Sequence, residues 1–176
     1  MPPFLQGQSQ VLGFPRTLVK FVDLYGVEPH RLLTKEHLAP EFFYRGRIGC
    51  LEGDSSYGHL RMVVMEYIEG KTSDQVKQLP PTFLHDIRHA LEILHTEHYL
   101  FGDLQGANIM ITKDKKLRLI DFDWAGKDMR SEYPLLMSSN INWPEGVEAL
   151  SMMKIDHDNE MLATLFQDLN EKLSRT

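Results

Sequence analysis

Three features of the sequence predict a single α+β domain, with strands concentrated in its first part and helices in its second. Residues 17–22 (TLVKFV) place alternate side chains on opposite faces, as a β-strand requires. Residues 109–120 contain two apolar runs joined by a polar turn, which is typical of a β-hairpin. Residues 82–97 carry apolar side chains at helical spacing. The last segment is therefore predicted to be the central core helix.

The remaining elements are predicted from the same two periodicities and from the positions of proline and glycine. They are a helix over 25–37, strands over 41–45 and 60–65 around a glycine-rich turn region over 46–58, a short helix over 72–78, and a final amphipathic helix over 156–173. Residues 1–16 are expected to form an irregular lead-in, and residues 127–148 a connecting or substrate-facing loop.

Composition restricts the classes of function. A chain of 176 residues is long enough to bury one sizeable core. Its formal net charge of -6 argues against a nucleic-acid partner, which usually meets a basic patch. The sequence lacks an apolar run of about 20 residues and a secretory signal, so no membrane partner is expected. A lone cysteine, Cys50, fits a reducing compartment, and the expected location is the cytoplasm or nucleus.

The predicted hairpin brings three oxygen-bearing side chains to one place. Asp103 and Asn108 precede its first strand, and Asp121 follows its second strand. Because a hairpin returns the chain to its starting edge, these side chains are expected to lie close together. Carboxylate and amide oxygens suit Mg²⁺, a hard cation that often shares its shell with substrate phosphates.

The same residues carry a family resemblance. The run from Asp103 to Asn108 matches D-L-x-x-x-N of the protein-kinase catalytic loop, and residues 121–123 (DFD) stand where these kinases have D-F-G. Over residues 18–165 the chain is most similar to kinase-like proteins of fungi, whose signature resembles GDL-x-x-x-N followed by LIDFDWAG. Aminoglycoside-kinase-like and other atypical members share part of this pattern.

The resemblance implies a protein-kinase-like fold that is trimmed at both ends. Its domain would cover residues 17–173, after the lead-in over 1–16. A reduced, β-rich lobe would occupy about 17–65, a hinge about 66–70, and a mostly helical lobe about 71–173. The glycine-rich hairpin that covers ATP phosphates in kinases is not matched, since Gly7 and Gly13 do not fit its pattern. A minimal kinase and a piece of a longer protein both remain open.

The resemblance also implies an ATP- and Mg²⁺-dependent phosphotransferase. Asp103 would be the base that accepts the proton of the attacking hydroxyl, and Asn108 and Asp121 would be the magnesium ligands. Lys20, on the first strand, would hold the α- and β-phosphates of ATP. Glu28 is the candidate partner of this lysine, with Glu36 as the alternative, because Pro29 confines Glu28 to the start of its helix.

Further residues are implied at the nucleotide site and beneath the catalytic loop. Met65 would line the adenine pocket, followed by a hinge through Glu66, Tyr67 and Ile68 whose backbone groups would bind adenine. Asp158 resembles the aspartate that braces the catalytic loop from below. A pair of histidines one helical turn apart, at positions 85 and 89, is interpreted as part of a polar face rather than as a metal site.

Three departures from the kinase pattern keep other functions open. Phe101 and Gly102 replace the usual His-Arg pair, Gln105 replaces a lysine that would neutralise the transferring phosphate, and Asp123 replaces the glycine of D-F-G. A pseudokinase or scaffold without turnover is the first alternative. A phosphatase of the D-x-D type, with residues 121 and 123 as nucleophile and acid, is the second. The acceptor, whether a protein or a small molecule, is not indicated.

Overall fold

The computed structural model describes residues 16–46 and 60–174, and the side chains of residue 170 and residues 172–174 are not considered further. The predicted lead-in therefore falls, except for Arg16, outside the described residues, as does the glycine-rich region after Gly46. The described ranges contain three α-helices and three small antiparallel sheets, so the predicted α+β class is confirmed. The elements are β1 Thr17–Val22, α1 Val27–Lys35, β2 Phe42–Gly46, β3 Arg61–Glu66, β4 Gly70–Thr72, α2 Phe83–Thr96, β5 Tyr99–Leu100, a 3-10 turn Gly106–Asn108, β6 Ile109–Thr112, β7 Leu117–Leu119, β8 Gly126–Lys127 and α3 Ile155–Ser174.

The first sheet has the strand order β1-β3-β2 and carries the candidate phosphate lysine. The predicted alternation along β1 is confirmed, because Leu18 and Lys20 are half-buried while Val19 and Phe21 are exposed. Lys20 lies opposite Val63 of the central strand. A side chain on the inner face of a paired strand has a fixed direction, so the sheet aims Lys20 towards the rest of the domain.

The second sheet, in the order β4-β6-β7, contains the predicted hairpin. Ile109 pairs with Leu119, and Leu117 and Leu119 are buried while Arg118 between them is half-buried, as the alternation predicts. The Thr112 hydroxyl accepts a hydrogen bond from the backbone N–H of residue 116 at 2.9 Å and closes the turn. This hairpin returns the chain from the catalytic loop to the segment that begins at residue 121.

The predicted short helix over 72–78 is wrong. Gly70–Thr72 forms β4, which pairs with β6, and the chain then forms a turn rather than a helix. The buried Ser73 fixes this turn: its backbone N–H donates to Ile109 O at 2.8 Å, and its hydroxyl donates to Gly106 O at 3.1 Å. Pairing with a distant strand therefore outweighs the local helical pattern.

Helix α2 supplies the centre of the core, as its periodicity predicts. Its buried side chains lie on one face and are Phe83, Ile87, Ala90, Leu91 and Leu94. Complete burial of a side chain the size of Ile87 or Leu94 contributes about 2 kcal/mol. Helix α2 packs against β5, against β7 of the second sheet, and against α1, which itself packs against β2 of the first sheet.

The third sheet was not predicted, because each of its strands has only two residues. β5 follows α2 and pairs with β8, so that Leu100 lies opposite Gly126. It joins the start of the catalytic loop to the segment that follows Asp123. Helix α3 then packs Met161, Leu165 and Leu169 into the core. In the parts of the chain described above, none of the helices combines the length and apolarity that crossing a bilayer requires.

Candidate functional site

The loop over residues 101–108, which carries the candidate base Asp103, is held from below by Asp158, in the first turn of α3. Its Oδ2 accepts the backbone N–H of Phe101 at 2.8 Å, and its Oδ1 accepts that of Gly102 at 2.8 Å. His95 Nε2 lies 3.0 Å from Oδ2 and donates the third hydrogen bond. The Asp158 side chain is completely buried, and such a carboxylate is tolerated because its oxygens are satisfied by these donors. The bracing position implied by the resemblance is therefore confirmed.

Glycine is required at the position where many kinases have arginine. Gly102 has a φ of +79°, a left-handed conformation that side chains rarely adopt. A Cβ atom there would lie 2.8 Å from the backbone oxygen of Trp124 and would also collide with Met153. The substitution noted in the sequence is thus explained by backbone geometry and close packing.

The candidate base, Asp103, is surrounded by amide donors. Asn108 Nδ2 donates to its carboxylate at 2.8 Å and to its backbone oxygen at 2.9 Å, and Gln105 Nε2 donates to its other carboxylate oxygen. Burial raises the pKa of Asp103, and the charge of Asp121 raises it further, against the lowering effect of the two amides. A raised pKa makes this carboxylate a stronger base than an exposed aspartate.

Asp121 and Asn108 present the oxygens that a magnesium ion would need. The backbone N–H of Ile120 donates to Asn108 O at 2.9 Å, which ties the asparagine to the residue before Asp121. Because the side-chain nitrogen of Asn108 donates a hydrogen bond to Asp103, the side-chain oxygen of Asn108 is the atom that can act as a ligand. Asp121 has a φ of +64°, and its side chain is 48% exposed. Two oxygen donors beside an open face fit Mg²⁺ with substrate phosphates completing the shell.

Lys20 reaches this edge from the first sheet. Its Nζ lies 2.8 Å from Asp121 Oδ1 and also donates to Asp123 Oδ1 in a short contact. Burial and the nearby charge of Asp121 raise the pKa of Asp123 to about 6, although Lys20 acts in the opposite direction. The structure therefore brings Lys20, Asp103, Asn108 and Asp121 together as predicted, and it adds Asp123.

The predicted pairing of Lys20 with Glu28 is not found. The Glu28 carboxylate instead accepts a hydrogen bond from Arg31 at 3.2 Å, and both side chains are more than half exposed. Helix α1 begins at Val27, so Pro29 lies in its first turn, where proline is tolerated. Glu28 is therefore on the solvent side at the start of the helix. The alternative partner, Glu36, follows the end of α1 and is exposed.

Part of the segment that was predicted to bind adenine already makes hydrogen bonds within the protein. Met65 is buried in β3, and its sulfur lies 4.0 Å from the hydroxyl of Tyr25. The backbone N–H groups of Glu66 and Tyr67 donate to Glu41 O and Arg16 O, both at 2.8 Å. These two donors are thus engaged within the protein, which differs from the expectation. Ile68, the third residue of the predicted hinge, lies between β3 and β4.

A buried histidine that the sequence analysis missed supports the site from behind. His30 Nε2 donates to Pro40 O at 2.8 Å, so Nδ1 accepts the hydroxyl hydrogen of Tyr25 at 2.7 Å. The imidazole ring stacks on Phe122, with centroids 4.4 Å apart and planes 6° from parallel. Burial lowers the pKa of His30 to about 4, and the charge of Lys20 contributes. The available signal was its position on the apolar side of α1.

Within residues 16–46 and 60–174, no cluster of three or more His, Cys, Asp or Glu side chains is arranged to hold a metal ion. The candidate magnesium ligands are a carboxylate and an amide, so they do not form such a cluster. The ring centroids of His85 and His89 lie 6.2 Å apart, and a third ligand of those four types does not join them.

Comparison with known proteins adds no relative: the sequence matches no protein-family model, and no curated protein matches it.

Proposed function

We propose that the chain is an ATP- and Mg²⁺-dependent phosphotransferase with a protein-kinase-like fold. One observation carries the proposal: Lys20 donates to Asp121 across 101 residues of sequence, beside the loop that holds Asp103 and Asn108. A cation on a strand, a half-buried base and two oxygen ligands at one edge are the parts that phosphoryl transfer requires. They also occur in the order of the kinase-like resemblance.

Each side chain has a role that follows from its surroundings. Asp103 orients the acceptor hydroxyl and receives its proton, and its raised pKa favours that transfer. Lys20 binds the α- and β-phosphates of ATP as a point charge. Asn108 and Asp121 would hold the magnesium ion, which, when bound, neutralises charge on the phosphates. Asp158 keeps the loop in place, so the reacting groups do not need to be ordered during the reaction.

The arrangement of elements supports the kinase-like interpretation over the D-x-D phosphatase. The strand before Asp121 is the second strand of an antiparallel hairpin, and the loop before that hairpin bears Asp103. The lysine lies on a separate small sheet, and a helix, α1, packs beside it.

A pseudokinase is the second candidate, and two contacts favour it. Gln105 donates to the candidate base, and Lys20 is bonded to both acidic residues of the DFD segment. Gln105 would have to release Asp103, and Lys20 would have to release Asp121, before turnover. The acceptor, a protein or a small molecule, is not assigned. The lone Cys50 fits the cytoplasm or nucleus as the location we propose.

Calorimetric titration with ATP, in the presence and absence of Mg²⁺, tests the proposal. We expect binding that depends on Mg²⁺ and that Asp121→Asn weakens about tenfold, because one charged ligand is lost. Asp168→Asn is the matched control, since Asp168 is exposed on α3. Binding that ignores both Mg²⁺ and Asp121 would favour the pseudokinase. Absence of binding would refute the phosphotransferase, and trapping by beryllium fluoride with Mg²⁺ alone would favour the phosphatase.

A further inference from the structure

Lys20 has two acidic neighbours, and the more enclosed one is Asp123. The lysine side chain is 22% exposed, compared with 35% for Asp123 and 48% for Asp121. Both carboxylates accept a hydrogen bond from the same ammonium group. The two aspartates are therefore not equivalent, because the outer one faces the open edge and the inner one faces the protein.

Helix α1 does not supply a carboxylate to the lysine. Its single acidic residue, Glu28, is paired with Arg31 on the exposed side. The function proposed above commits Asp121 to a magnesium ion. An ammonium group left without a carboxylate partner would be free to move through the rotamers of a long side chain. Some other acidic group must hold Lys20 once Asp121 has bound the metal.

We propose that Asp123 is the positioning residue for Lys20: it holds the ammonium group towards the nucleotide phosphates while Asp121 binds the metal. This inference rests on the proposed function, and it assigns a role to the acidic residue that stands where kinases with the D-F-G motif have glycine.

The segment that carries Asp123 is anchored independently of the lysine. The backbone oxygen of Phe122 accepts hydrogen bonds from the N–H of Gly26 at 2.8 Å and from that of Ala125 at 3.2 Å. The Phe122 ring is fully buried and stacked on His30. The neighbouring carboxylate is thus presented from a fixed turn, and a fixed partner can direct a mobile one.

The ammonium group of Lys20 also contacts the aromatic ring of Tyr25. Its Nζ lies 5.1 Å from the centroid of the Tyr25 ring, a cation–π distance. The Tyr25 hydroxyl is in turn fixed by its hydrogen bond to His30. An aromatic face and a carboxylate together restrict Lys20 to one direction, which is the condition for a useful phosphate contact.

Calorimetry on variants at positions 20 and 123 tests the inference with two ligands, Mg²⁺–ATP and adenosine. Asp123→Asn keeps the side-chain shape and removes the charge, and Asp123→Glu keeps the charge. Asp168→Asn is again the exposed control. We expect Asp123→Asn to weaken Mg²⁺–ATP about tenfold and to leave adenosine within about twofold, because the lysine acts on phosphates. Asp123→Glu should restore most of the ATP affinity.

A double-mutant cycle shows whether Asp123 acts through Lys20. In a Lys20→Met background, Asp123→Asn should cause no further loss of ATP affinity, since the group that it positions is already gone. Additive losses would overturn the inference, as would equal weakening of ATP and adenosine, which indicates general loosening of the pocket. Tighter ATP binding by Asp123→Asn would also overturn it, because the carboxylate would then compete with the phosphates for the lysine.

The outcomes separate this inference from the proposed function. If the unmodified protein binds Mg²⁺–ATP and Asp123→Asn binds it equally well, the phosphotransferase stands and the role of Asp123 is refuted. If the unmodified protein binds no ATP, both proposals fail together.

Discussion

The buried His30 should make stability depend on acidity, and replacement of this residue isolates its contribution. Its ring is completely buried, donates to Pro40 O and accepts from Tyr25. A proton on Nδ1 would remove the acceptor for the tyrosine and place a charge in the core. In His30→Asn, the amide oxygen can still accept from Tyr25, and Pro40 O keeps its hydrogen bond from Thr34 at 2.8 Å.

The sign and size of the effect follow from the two pKa values. The folded state lowers the pKa of His30 from 6.5 to about 4. Between those values the unfolded chain binds a proton that the folded chain does not, so acid favours unfolding. His30 costs nothing above its unfolded pKa, and acidification from about pH 7.5 to about pH 5 removes about 2 kcal/mol of stability through this one group.

Urea denaturation of both proteins at those two pH values provides the measurement. The His30→Asn variant is expected to lose about 2 kcal/mol less than the unmodified protein over this interval. Titration of other groups, including the aspartates of the site, is common to both proteins and cancels in the comparison. Equal losses would show that the histidine is protonated in the fold, and the buried Tyr25–His30–Pro40 arrangement would then be refuted.

Three further substitutions, with Gly146→Ala as a control for one of them, test the loop and its base. Asp158→Asn should reduce the free energy of unfolding, measured in urea, by about 3 kcal/mol, because a buried carboxylate that accepts three hydrogen bonds is removed. A loss under about 1 kcal/mol would contradict the role of Asp158 in holding the loop. Gly102 and Gly146 both have a positive φ, at +79° and +81°, but only at Gly102 would a Cβ atom collide with its neighbours. Thermal melting should therefore show that Gly102→Ala lowers the free energy of unfolding by about 2 kcal/mol more than Gly146→Ala does, and equal losses would refute the close packing. Asn108→Ala should raise the pKa of Asp103, measured by NMR titration of its carboxyl group, since a donor to the ionised form is lost; a lowered pKa would contradict the role of this amide.

Local pattern was sufficient for the elements that carry their own periodicity. The alternation along β1 and in the hairpin over 109–119, and the apolar face of α2, were predicted from the sequence and are confirmed by the structure. These elements bury one face against the core, so the sequence must repeat with the period of that face. The short helix over 72–78 failed for the opposite reason, because its first residues are fixed by pairing with β6.

The candidate site was predicted where a motif carries it and missed where distant segments meet. Asp103 and Asn108 precede one hairpin and Asp121 follows it, so their proximity follows from local topology. The partner of Lys20 is separated from it by about a hundred residues, and the resemblance that suggested Glu28 gives no information on which side of this helix that residue faces. His30 was missed because its two hydrogen-bond partners, like its stacked ring, are fixed only by tertiary packing.

The hydrogen bonds that Asp158 accepts from the backbone N–H groups of Phe101 and Gly102 also constrain the order in which the chain can fold during synthesis. The hairpin and α2 contain mainly local contacts and can form while the chain is still emerging from the ribosome. The loop between them cannot take its final shape until the start of α3 has been made and has docked beneath it. Nascent chains that pause before residue 158 would therefore contain the hairpin and α2 without the final shape of the loop between them.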